Sequence, residues 1–210
     1  MTKFLVVFDV DSTLIEDEVI ELLADAAGKR SEVAALTDRA MAGELDFAES
    51  LIARVRALEG LPESVFAEVQ QLMRITKGAK ELIEAVQAAG GKVGAVSGGF
   101  TQLLTPLAQE LNLNYTRANL LEVIDGRLTG RVSGTIIDRT EKANALREWA
   151  IDGGFDLKDT VAVGDGANDL EMLAIAGLGV AFNAKPIVRA QADLVIEEHD
   201  LTSLISILGL

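Results

Sequence analysis

The 210-residue chain contains no cysteine, which removes thiol nucleophiles, disulfides, iron–sulfur clusters and every thiolate zinc site. It has one histidine, His199, so a phosphohistidine enzyme, a Ser-His-Asp hydrolase or a multi-histidine metal site would all have to rest on that residue, in an acidic stretch near the C-terminus. Cations are also scarce. Nineteen Lys and Arg face 33 Asp and Glu, a net charge of -14, which argues against a surface that tracks nucleic acid or an anionic membrane. An anionic ligand must therefore be handled locally, and in an enzyme of this composition carboxylates carry the chemistry. Long apolar runs are missing too: Met172 to Ala184 is the longest nearly uncharged stretch, short of the roughly 20 residues a membrane helix needs. The opening MTKFLVVFDVDST has acidic residues where a secretory signal would be apolar, so a cytoplasmic protein is expected.

What remains is a chain that is 49% apolar, sufficient for one globular domain or a core with a small insertion. Lys3 to Phe8 is a Val- and Phe-rich run that halts at Asp9, the pattern of a strand buried on both faces of a parallel sheet. Lys92–Val96, Thr160–Val163, Leu178–Ala181 and Asp193–Ile196 repeat it. Amphipathic stretches at 79–89, 101–111, 142–150 and 169–176 supply crossover helices. This alternation predicts an α/β fold, a Rossmann-like doubly wound parallel sheet. From about Glu16 to Met73 the alternation stops and helix formers take over, with Asp17, Ser31, Asp46 and Pro62 as start signals. A helical insertion after the first strand is expected, together with antiparallel excursions around Asp125-Gly126 within 115–137.

In open parallel sheets, ligands bind beyond the carboxyl ends of the strands. The residues there are Asp9, Asp11, Ser12 and Thr13 after the first strand, Ser97-Gly98-Gly99 after the second run, and GDGAND, Gly164 to Asp169, after Val163. Asp9 and Asp11 are two positions apart, so in extended backbone they point to one side, where close carboxylates repel unless a cation or proton intervenes. One can be ionised and attack phosphorus while the other, protonated, serves a leaving alkoxide. Read alone, the pair also fits a second pattern, that of exposed turn aspartates. Asp165, with Asn168 or Asp169, offers oxygen ligands that suit Mg2+, or the loop only caps the next helix. Ser97-Gly98-Gly99 presents a hydroxyl and open N–H groups before a helix, a phosphate site on physical grounds, though such a segment is often just a turn. Lys142 stands near a helix start, where an ammonium is unfavourable unless an anion lies close. In isolation it reads as a solvated lysine.

Together these residues resemble the haloacid dehalogenase superfamily of phosphohydrolases, whose motifs occur here in order as DVDST (Asp9 to Thr13), Ser97 in VSGG, Lys142, and GDGAND. DVDSTLIEDEVIELLA at Asp9 to Ala24 and MAGELDFAESLIARV at Met41 to Val55 narrow the resemblance to the branch that releases L-serine and phosphate from O-phospho-L-serine, the last step of serine biosynthesis. The resemblance implies a catalytic core of residues 1–15 and 75–210 and a small helical cap, residues 16–74, that selects the substrate. It makes Asp9 the nucleophile that becomes an aspartyl phosphate and Asp11 the general acid and base. Asp9, the Asp11 carbonyl and Asp165 hold Mg2+, and Ser97, Gly98 and Lys142 hold phosphate oxygens, with Asn168 and Asp169 supporting the metal or the phosphate shell. Glu18 meets the substrate amine and Arg54 its carboxylate, while Met41 and Phe47 shut out water or simply pack. Several relatives carry a regulatory region ahead of the core. Here the first strand starts by Lys3, so control through such a region is not expected.

Three other readings stay open: transfer of the phosphoryl group to another small alcohol, hydrolysis of a different phosphomonoester by the same core, and a receiver-like phospho-switch. The helical insertion and a second aspartate able to activate water count against the switch. His199 has no assigned role and reads as a surface residue.

Overall fold

The computed structural model describes residues 3–210; Met1 and Thr2 of the expected core segment lie outside them. Among the described residues seven strands form one sheet in the order β4-β3-β2-β1-β5-β6-β7. They are β1 Leu5–Phe8, β2 Lys92–Phe100, β3 Tyr115–Ile124, β4 Arg127–Ser133, β5 Thr160–Gly164, β6 Leu178–Phe182 and β7 Leu194–Ile196. All neighbours are parallel except β3 and β4. The sheet is the expected doubly wound one. β1 lies between β2 and β5, so the strand order reverses there and opens a crevice at the carboxyl ends of those three strands.

The four β1 side chains are fully buried, each contributing roughly 1.5–3 kcal/mol by leaving water. Val6 and Phe8 join one apolar cluster with α5 (Ala79–Ala88) and α6 (Thr101–Glu110). Leu5 and Val7 face the other way, onto Leu146 and Trp149 of α7 (Arg139–Gly153) and Met172 of α8 (Leu170–Ile175). A continuous apolar run is what a strand covered on both faces requires.

Between β1 and β2 come four helices: α1 Val19–Ala26, α2 Arg30–Met41, α3 Phe47–Arg56 and α4 Val65–Gln70. Their start signals fared unevenly. Asp46 caps α3 by accepting from Glu49 N at 2.9 Å, whereas α1, α2 and α4 begin one to three residues away from Asp17, Ser31 and Pro62. Asp17 instead accepts Arg74 N at 2.8 Å and binds the Arg74 guanidinium, closing the neck of the insertion beside an Ile15–Ile75 bridge.

The insertion has a second anchorage. Gly60 N donates to Leu128 O, Leu128 N to Leu61 O and Glu63 N to Gly126 O, all within 2.9 Å. These bonds stitch the α3–α4 loop to the β3–β4 hairpin, whose turn is made by Asp125 and Gly126 with φ of 50° and 72°, the pair of left-handed residues a two-residue hairpin needs. β3 differs from the expected excursion in one respect: it also extends the main sheet, parallel to β2. Three short helices, α9 Pro186–Arg189 after β6 and α10 Ser203–Leu208 after β7 together with α8, complete the far side. No described helix is long and apolar enough to cross a membrane.

Candidate active site

Past Phe8 the chain leaves the strand for a tight turn over Val10–Leu14. Asp9 and Asp11 keep extended backbone while Ser12 turns left-handed, φ 56°, a conformation that costs a non-glycine residue energy and is common at functional sites. Both aspartates line a small cavity with Glu18, Val19, Ile20, Met41, Phe47, Leu51, Arg54, Gly98, Gly99, Asp165 and Asn168. Of the residues singled out in the sequence, Ser97 and Lys142 are not in this lining. They lie immediately behind it, bonded to Asp11 and Asp9. The cavity's free volume is about 20 Å³, room for about one water molecule.

Lys142, the fourth residue of α7, is fully buried rather than solvated. Its Nζ donates to Asp9 Oδ1 and to Asp169 Oδ1, each at 2.6 Å. These anions offset the helix-dipole penalty. Burial alone would lower the ammonium's pKa, but Asp169 and Asp9 outweigh it and hold the group above its ordinary value. An ammonium has three donors, so one remains available. Asp169 Oδ2 meanwhile accepts from Asp165 N at 3.1 Å and Gly166 N at 3.0 Å. This clamps the GDGAND loop, and the fit requires Gly164, where a Cβ would stand 2.5 Å from the Asp169 carboxyl.

Asp11 Oδ1 accepts from Val19 N at 2.7 Å, at the start of α1, and its Oδ2 accepts from the Ser97 hydroxyl at 3.1 Å. That hydroxyl in turn accepts from Gly99 N at 2.7 Å. β2 thus runs through both glycines instead of ending before them, and its pairing with β3 shifts between Ser97 and Phe100. Buried Asn119 spans this irregularity: its Nδ2 donates to Gly98 O and its Oδ1 accepts from Ile137 N, both at 2.8 Å. The Phe47 ring packs closely on Gly98: a Cβ there would lie 2.6 Å from the tip of the ring, which would have to move.

Above the strand ends, Glu18 accepts from the Ser12 hydroxyl at 2.7 Å. Arg54 is buried, with Nε donating to Ser50 O at 3.2 Å and Nη1 to Thr37 Oγ1 at 3.1 Å. Its Nη2 has no hydrogen-bond partner among the described residues. Met41 closes the roof near Gly166, where a Cβ would lie 2.8 Å from the Met41 sulfur.

The electrostatics are dominated by burial. It raises Asp9 to about 7, helped by Asp169 and opposed by Lys142; it raises Glu18 to about 8, helped by Asp11. Asp11 rises by burial against the bonds from Val19 and Ser97, and Asp165 rises well above the carboxylate range by burial and its neighbour Asp9. Burial lowers Arg54, against the pull of Glu18. Five carboxyl groups (Asp9, Asp11, Glu18, Asp165, Asp169) thus share two cations, Lys142 and Arg54. Carboxylate oxygens of Asp9, Asp165 and Asp169 lie within 4.8 Å of one another. Asp169 already accepts three bonds, while among the described residues the Asp165 carboxyl accepts only the Thr13 hydroxyl at 3.5 Å. A hard divalent cation fits this oxygen-only, negatively charged donor set.

Sequence reading missed Thr37, Asn119 and the bond from Ser12 to Glu18. Asn119 did leave a signal, an amide within a strand, where Asn is disfavoured. Thr37 left none.

The family model for haloacid dehalogenase-like hydrolases matches residues 6–174, and the chain belongs to that family. A phosphoserine phosphatase of Streptococcus thermophilus is 52% identical over 206 residues, covering 98% of this chain and 96% of the relative. One of Streptomyces coelicolor is 54% identical over 206 residues, covering 98% of this chain and 50% of the relative, so the chain spans about half that protein's length. A solved structure of a phospho-aspartyl intermediate analogue of phosphoserine phosphatase superimposes with a TM-score of 0.95 at 42% identity, covering 99% of each chain. A substrate-bound phosphoserine phosphatase matches equally well, at 41% identity.

Proposed function

We propose that this chain is a phosphoserine phosphatase that hydrolyses O-phospho-L-serine through an aspartyl phosphate on Asp9. One observation carries the reading. A single enclosed cavity has a lysine-bound aspartate at one end and, at the other, a carboxyl group and a guanidinium with an unpartnered nitrogen. Those are the complements of a phosphate, an ammonium and a carboxylate.

A carboxylate oxygen of Asp9 attacks phosphorus, and the bond from phosphorus to the serine oxygen breaks. Asp11, whose carboxyl burial shifts towards the protonated form, gives its proton to that oxygen. Asp11 then takes a proton from water, whose oxygen attacks phosphorus and displaces Asp9. The third donor of Lys142, the main chain at Gly98 and the Ser97 hydroxyl, turned away from Asp11, hold phosphate oxygens, with Asn168 beside them. Asp9, the main-chain carbonyl of Asp11 and Asp165 would hold Mg2+, which when bound supplies positive charge against the charge spreading over the transferring phosphoryl group. Glu18, ionised once an ammonium pairs with it, takes the substrate amine, and Arg54 the carboxylate. Met41 and Phe47 exclude water. Residues 16–74 act as a cap on a core of residues 3–15 and 75–210. The cavity is too small for the ester, so the cap opens to admit it. We place the activity in the cytoplasm, within serine synthesis.

The test is phosphate release from O-phospho-L-serine and a panel of other small phosphomonoesters, with and without Mg2+, in the wild type and in Asp9→Asn. Fast, metal-dependent release that favours phosphoserine and vanishes in the variant supports the reading. Activity confined to other esters would leave the Asp9 chemistry and remove the cap assignment.

A further inference from the structure

We infer that Thr37 is a positioning residue for substrate selection, acting through Arg54; this rests on the reading of Arg54 as the anchor for the substrate carboxylate. Thr37 sits on α2, buried, and is not among the residues that line the cavity. Its hydroxyl proton is committed to Val33 O, one turn back, at 3.0 Å. A hydroxyl has one donor and two acceptor sites, so the oxygen can only accept from its other neighbour, Arg54 Nη1, at 3.1 Å.

The geometric consequence lies in the guanidinium, which is planar with its donors in a fixed fork. Nε is held by Ser50 O and Nη1 by Thr37 Oγ1. Two fixed points on a rigid plane determine where the third nitrogen goes, and the third, Nη2, is the one without a partner. The Phe47 ring, 5.9 Å from the guanidinium carbon, packs beside it. α2 thus aims a side chain that belongs to α3. A valine at position 37 would keep the shape but set a methyl against Nη1. That leaves a buried N–H unpaired and the fork free to turn towards Glu18.

The experiment compares O-phospho-L-serine with O-phosphoethanolamine, which keeps the phosphate and the amine and lacks the carboxylate. It uses Thr37→Val, Thr37→Ser and, as reference, Arg54→Ala. Thr37→Val is expected to lower kcat/KM for phosphoserine ~10-fold, mostly through KM, while phosphoethanolamine changes less than ~2-fold. Thr37→Ser, which restores the hydroxyl, returns the ratio of the two esters to the wild-type value. If Thr37→Val does not fold, Thr37→Ala carries the same comparison. Equal losses on both esters would mean a structural role only and overturn the proposal. So would an unchanged ratio in Thr37→Val where Arg54→Ala collapses it. A ratio that Arg54→Ala leaves untouched would instead remove the Arg54 reading, and the positioning role with it.

Discussion

Beneath the cavity, Asp9, Lys142 and Asp169 come from three separate strand-to-helix junctions and are locked by 2.6 Å charge-assisted bonds that span up to 133 positions of sequence. Above it, Glu18, Met41, Phe47 and Arg54 sit on a helical insertion tied to the core at its neck and at the β3–β4 hairpin. Their fixing bonds are few, and one guanidinium nitrogen is left over. Under the proposed function, the difference teaches how chemistry and selection are divided. Groups that must meet developing charge are held rigidly in a low-dielectric floor, where such charges act strongly. On the same proposal, groups that admit and choose a substrate are mounted on the insertion, which joins the core at only these two places.

The division is tested most severely at Lys142. Lys142→Ala leaves Asp9 and Asp169 facing each other in a buried site. It should cost about 3–5 kcal/mol of stability and at least ~10³-fold in kcat for every ester tried. Thermal melts and kinetics on two unrelated esters would measure both, and a loss confined to phosphoserine would contradict the assignment of Lys142 to the floor. Asp169→Asn keeps the shape but weakens the hold on Lys142 and on the loop bearing Asp165. About 10²-fold in activity is expected, with a raised Mg2+ requirement, to be read from metal titrations of rate. On the roof, Arg54→Ala should lose at least ~10-fold for phosphoserine relative to an ester without a carboxylate, about 1.4 kcal/mol. If both esters suffered alike, the roof would be sharing in the chemistry and the comparison would fail.

The smallest effect is on stability. Burial raises Asp9 to about 7 and Glu18 to about 8, so above about pH 4, the range where unfolded carboxyl groups ionise, the folded chain holds protons that the unfolded chain has lost. Stability is then fully present at low pH and declines as pH rises to about 8. In metal-free protein the melting temperature should therefore fall across that window. Mg2+ should counter the part owed to the floor, and Glu18→Gln the part owed to the roof. A flat profile in metal-free wild type would show that these carboxyl groups are not desolvated as described.

Much of the architecture follows from local pattern. Leu5–Phe8 and Val161–Val163 are unbroken apolar runs because both faces of the sheet are covered, and the change to helix formers after Ile15 marks the insertion. Asp125-Gly126 names its own turn. The motif residues were visible because strand ends are where a doubly wound sheet exposes polar groups, although their type and spacing along the chain did not say which of them bond to one another. Helix starts were harder to read. Asp17, an ordinary cap in sequence, is used across the neck by Arg74, a partner 57 positions away.

The sequence by itself determined the alternation of strands and helices, the absence of thiol chemistry and of any multi-histidine site, and the set of carboxylates, glycines and cations that can serve a phosphoryl group. Only the tertiary structure decided that Lys142 is buried between Asp9 and Asp169, that the Phe47 ring packs on Gly98, that Asn119 spans the break in β2, and that Thr37 aims Arg54. Each of these is a contact between residues distant in the chain. Periodicity reports the face a residue shows; the partner it meets there is set by how the elements pack.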